Sequence, residues 1–122
     1  MRLLVTGDRE WTDKSTIEAA FDNLKPSLVI HGGARGADLI AVLVAIDRGI
    51  PTIRFNADWT RYHKGAGPIR NQQMLDEGQP DCVVYFHNNL EISKGTKDMV
   101  QRSRKAGLMV YDGLTISKDR AI

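Results

Sequence analysis

The β-rich runs of this chain carry no polar alternation, which places them inside a sheet covered on both faces. Leu3 to Gly7, Ser27 to His31, Pro51 to Phe55, Asp81 to Phe86 and Leu108 to Tyr111 are short, mainly apolar runs. A strand with one wet face would alternate apolar and polar side chains; a strand buried on both faces does not. Between these runs lie stretches with helical spacing. Ile17, Ala20, Phe21 and Leu24 form an i, i+3, i+4, i+7 stripe behind Asp13 or Ser15 as cap, and Pro26 ends it. Gly36 to Arg48 is rich in Ala, Leu, Ile and Val, which predicts a deeply buried helix closed by Gly49. Pro68 is placed as the first residue of a helix running to about Glu77, and Gly95 to Ala106 reads as another. Asn56 to Gly67 and His87 to Lys94 read as loops. The last strand is expected to extend past Gly113 through Leu114 to Ile116, and the final residues to fray. Strict alternation of strand and helix predicts an α/β fold: a five-stranded, mostly parallel sheet with helices on both faces and right-handed crossovers.

A length of 122 residues predicts one domain with its own core. The formal charge of +2 is too small to argue for nucleic acid or an anionic membrane as partner. No apolar run approaches the roughly 18 residues that span a bilayer. Met1 to Gly7 is too short an apolar stretch for a signal peptide and reads as a first strand. A single cysteine, Cys82, excludes an intrachain disulfide and suits a reducing cytoplasm.

Candidate functional residues cluster after the strands, at the edge where open parallel sheets bind ligands. Thr6-Gly-Asp-Arg9 follows the first strand and His31-Gly-Gly-Ala-Arg-Gly-Ala-Asp38 the second; Lys94-Gly-Thr-Lys-Asp98 opens the last long helix. Backbone N–H groups at a helix start, with the positive end of its dipole, suit a phosphate or carboxylate. Gly7, Gly32, Gly33 and Gly36 either let a ligand approach the backbone or only permit tight turns. Arg9 and Arg35 either reach a phosphate or face solvent. Asp38 either bonds a ribose hydroxyl or a neighbouring loop, or simply favours the dipole. Arg70, in a first helical turn, opposes the dipole unless an anion offsets it, and its guanidinium suits a bidentate hold on phosphate. A salt bridge to Asp58 or Asp76 is the alternative. Asn71 caps or touches ligand; Lys94, Gly95 and Thr96 bind a second anionic group or only cap. Trp11 and Trp59 are anchors or base-stacking platforms. His31, His63 and His87 have no metal-ligand spacing, so no metal site is expected and no cofactor is identified.

Six ordered blocks carry a resemblance: Val5-Thr-Gly-Asp-Arg-Glu-Trp11, His31 to Asp38, Ala57-Asp-Trp59, Ala66-Gly-Pro-Ile-Arg-Asn71, Met74-Leu-Asp76 and Gly95-Thr-Lys-Asp-Met-Val100. In this order they resemble the YspA-like branch of the SLOG superfamily, which also holds the Lonely Guy phosphoribohydrolases and the DprA proteins. The resemblance implies a single Rossmann-like domain over residues 1–122 that recognises a nucleotide or nucleotide-derived molecule. It also implies a possible homodimer. Gly95, Thr96 and Arg70 match the Lonely Guy pattern, but its catalytic glutamate is here Met99. Asp98 lies one residue short, about 100° around a helix. The Pro-Gly-Gly turn of those enzymes is replaced by His87 to Lys94. The leading expectation is therefore a sensor or sequestering module for a phosphorylated nucleotide-like ligand. The alternatives are a glycosidic-bond hydrolase using Asp98 or Asp8, and single-stranded nucleic-acid binding of the DprA kind.

Overall fold

Five strands pair in the order β3-β2-β1-β4-β5, all of them parallel, in the computed structural model, which describes residues 1–117. They are β1 (Arg2–Gly7), β2 (Leu28–His31), β3 (Thr52–Arg54), β4 (Cys82–Phe86) and β5 (Met109–Asp112). The expected mostly parallel sheet is thus wholly parallel. The helices are α1 (Lys14–Leu24), α2 (Ala37–Asp47), α3 (Trp59–Tyr62), α4 (Ala66–Gly78), α5 (Gly95–Lys105) and α6 (Gly113–Ile116). Side chains on β1 alternate between two cores. Leu3 and Val5 pack with Val29, Val84 and Phe86 beneath α1 and α2, while Leu4 packs with Ile30, Val83, Met74 of α4 and Met99 of α5. Both sheet faces are therefore covered, which is why no strand needed a polar face.

Local signals behave as their chemistry requires. The Asp13 carboxylate accepts from the Ser15 and Thr16 amides at 3.0 and 3.3 Å, capping α1. Lys25 turns left-handed (φ 50°) and ends the helix ahead of Pro26.

Four expectations change. The Asn56 to Gly67 segment contains α3, capped by Asp58, and a 3-10 turn at His63–Gly65. From there α4 begins at Ala66, two residues before Pro68. Buried Ala66 anchors the earlier start, and proline costs nothing there because first-turn N–H groups have no intrahelical acceptor. Leu114 to Ile116 forms helix rather than strand, because the Asp112 carboxylate accepts from the Leu114 amide at 2.9 Å and starts α6. Finally, α2 is not deeply buried: Leu39, Leu43 and Ile46 are 43%, 56% and 64% exposed. Only its other side, with Ala37, Ala41, Val44 and Ala45, meets the core, since no layer among the described residues lies outside it. The expected fraying of the last residues lies outside the described ones. No helix among the described residues is long and apolar enough to cross a membrane.

Candidate functional site

The crevice between β1 and β4, where strand order reverses, is closed by the backbone. The Asp8 amide donates to the Phe86 carbonyl at 2.8 Å, and a Cβ on Gly7 would lie 2.7 Å from the Ala37 Cβ. His87 Nε2 sits 3.9 Å from the Asp8 carboxylate above it. Open space lies instead beyond the carboxyl ends of β1, β2 and β3, as a cavity of about 670 Å³. Arg9, the Gly32 to Arg35 turn, Arg54, Asn56, Trp59 and Arg70 line it.

The glycines of the turn make room for protein rather than for a ligand. A Cβ on Gly32 would come within 2.7 Å of the Arg70 Cζ, and one on Gly33 within 2.6 Å of the Arg54 Cζ. Gly36, at φ +77°, lies against the backbone of Asp8 and Arg9. Two guanidiniums therefore rest on two consecutive glycines. Three amides of the turn are also taken. Gly32 and Ala34 donate to the Asp38 carboxylate at 2.9 and 3.4 Å, and Gly33 donates to His31 Nδ1 at 3.0 Å. The anion at the start of α2 is thus Asp38 itself, 6% exposed.

Burial pushes the Asp38 carboxyl up to about 6, against the Gly32 and Ala34 hydrogen bonds and the charges of Arg70 and Arg9. Burial, with Arg54 and Arg70 nearby, pulls His31 down to about 4. His31 is neutral at pH 7, and because Nδ1 accepts, its proton is assigned to Nε2.

Around the cavity, positive charge is left over. Arg70 Nη1 donates to the Gly32 carbonyl at 2.8 Å and Nε to Asn71 Oδ1 at 3.2 Å, while Arg54 Nε donates to Asn56 Oδ1 at 2.6 Å. Arg35 pairs with Glu10. Arg9, Arg54 and Arg70 form no ion pair with any carboxylate among the described residues. No acidic residue among the described ones lines the cavity. Trp59 stands at its rim, 51% exposed. Arg54 was missed in the sequence; its one signal was its place at the carboxyl end of a strand, beside Asn56.

The remaining candidates form a separate group at the start of α5. Asn71 Nδ2 donates to the Gly95 carbonyl at 3.3 Å and to Asp98 at 3.0 Å, and Arg102 Nε donates to Asp98 at 2.8 Å. The Thr96 amide donates to Ser93 Oγ at 3.0 Å. Met99 is wholly buried in the core. Lys94, Gly95, Thr96, Asp98 and Asp8 do not line the arginine cavity; the Arg70–Asn71 hydrogen bond links the two groups.

This all-parallel sheet with helices on both faces, and a basic cavity over β1 to β3, is an α/β Rossmann-like fold. The chain belongs to the YspA, cpYpsA-related SLOG family (YAcAr), whose family model matches residues 1–62. It is similar to the Gene 61 protein of Mycobacterium phage D29, at 38% identity over 126 residues, covering 91% of this chain and 94% of that protein. Its fold also matches DNA processing protein A (DprA) from Streptococcus pneumoniae, with a TM-score of 0.51 and 14% sequence identity. That match covers 99% of this chain and 62% of the DprA chain.

Proposed function

We propose that the arginine cavity binds a phosphorylated, nucleotide-like ligand and that the protein acts as a sensor or sequestering module for it. One observation carries this reading: three guanidiniums that form no ion pair with a carboxylate among the described residues share one cavity. Guanidiniums held together repel one another, and a phosphate relieves that repulsion through charge-assisted, bidentate hydrogen bonds. Exposed Trp59 adds a face on which a base can stack, worth roughly 1–3 kcal/mol. Binding is favoured over hydrolysis because glycosidic cleavage needs a carboxylate near the developing positive charge, and the cavity lining has none. Asp98 is engaged by Asn71 and Arg102 instead. The buried lone thiol of Cys82 suits a reducing cytoplasm.

A thermal-shift screen of ADP-ribose, NAD-derived and cyclic nucleotides tests the reading. A ligand at 100 times its Kd should stabilise the fold by about 2.7 kcal/mol. Silence across the whole panel would refute it. The DprA-like fold supports one second reading, a single-stranded nucleic acid whose phosphates enter the same cavity. A retarded band in a low-salt gel shift, lost as salt rises, would mark it.

We also propose that α2 pairs with α2 of a second copy. Its outer face presents Leu39, Leu43 and Ile46 with no polar side chain between Asp38 and Asp47. Antiparallel pairing about Leu43 sets the negative end of each helix dipole, with Asp47, beside the positive end of the other. Sedimentation should give twice 13.6 kDa for the wild type and 13.6 kDa for Leu43→Glu. Ile92→Glu, 74% exposed elsewhere on the surface, should leave the dimer intact. A wild-type monomer at all concentrations would rule the pairing out.

A further inference from the structure

We infer that the ligand of this cavity carries a diphosphate, with one phosphoryl group on Arg70 and the next on Arg54. This rests on the reading of the cavity as an anion site and narrows it.

The two guanidiniums are not independent surface cations. Each is seated on one of two consecutive glycines, whose Cα atoms lie about 3.8 Å apart. Each is also held from the protein side: Arg70 by the Gly32 carbonyl and Asn71, Arg54 by Asn56. Both terminal nitrogens of Arg54 and Nη2 of Arg70 are left with no acceptor among the described residues. The seats place the two charges on adjacent residues of one turn, where the Gly32, Gly33 and Ala34 amides are already occupied by Asp38 and His31. Recognition there falls to side chains. A single phosphate group brings about two negative charges on one centre, and it serves both guanidiniums only if their forks converge on the same three oxygens. Two linked phosphoryl groups carry charge and oxygens at two centres, one for each guanidinium. Hydrogen bonds of this kind contribute about 1.5–3 kcal/mol each, so engaging the second guanidinium is worth roughly tenfold or more in affinity.

Calorimetry on the full chain with inorganic pyrophosphate, orthophosphate and citrate separates the possibilities. Pyrophosphate should bind at least about tenfold more tightly than orthophosphate, and citrate no more tightly than orthophosphate. Arg54→Leu should bring pyrophosphate to within about threefold of orthophosphate, with an unaltered melting curve as the check on folding. Gly33→Ala, which displaces the Arg54 guanidinium, should have the same effect. Equal binding of pyrophosphate and orthophosphate by the wild type would overturn the diphosphate assignment while leaving an anion site in place. Citrate matching pyrophosphate would overturn it too, since charge alone would then explain the affinity. No binding of any of these anions or of any nucleotide would remove both readings together.

Discussion

Arg70→Ala lowers affinity for a phosphorylated ligand by roughly 100-fold, because it removes a charge-assisted donor group whose loss costs about 3 kcal/mol. The side chain stands in the middle of the arrangement. It reaches the cavity from α4, donates to the Gly32 carbonyl across 38 residues of chain, and rests where Gly32 has no Cβ. Arg70→Lys keeps the charge but not the planar fork, and should recover only part of the loss. Titration calorimetry of both variants against the best ligand of the nucleotide screen measures this directly. Wild-type affinity in Arg70→Ala would mean that ligand binds elsewhere.

The second large effect concerns stability and pH. The His31 pKa lies near 4 in the folded protein, below its ordinary 6.5, so between these values the unfolded chain takes up a proton that the folded one does not. His31 therefore removes stability as pH falls from 6.5 to 4. Asp38 is raised from 3.8 to about 6, so over nearly the same range the folded protein holds the extra proton and gains stability as pH falls. Each contribution is about 3 kcal/mol at 1.36 kcal/mol per pKa unit, and the two nearly cancel. Asp38→Asn keeps an acceptor for the Gly32 and Ala34 amides but removes the titration. Relative to wild type, it should lose about 3 kcal/mol between pH 6.5 and 4. His31→Asn should show the opposite slope. Urea denaturation at half-unit pH steps reads both, and parallel profiles for wild type and Asp38→Asn would contradict the account.

Much of the architecture was visible in the chain because periodicity is a local property. Unalternating apolar runs at Leu3 to Gly7 and Asp81 to Phe86 reported two-sided burial, and the stripe through Ile17 and Leu24 reported a helix on a sheet. The strand-end turns marked the edge on which a cavity lies. Local reading was least reliable where neighbours decided the outcome. Composition alone made α2 a buried helix, yet whether a second layer covers Leu43 depends on what else the chain places there, and no described residue of the same copy forms such a layer.

Sequence by itself determined the order of elements, the parallel sheet and the group of loops at its carboxyl edge, since each follows from side-chain spacing over a few residues. Only the tertiary structure decided what fills the glycine turn. Gly32 and Gly33 looked like openings for a ligand; they hold the guanidiniums of Arg70 and Arg54, brought from distant parts of the chain, while Asp38 and His31 occupy the amides. A missing Cβ announces that something comes close to the backbone. Which group comes close is set by long-range packing, and spacing along the chain carries no record of it.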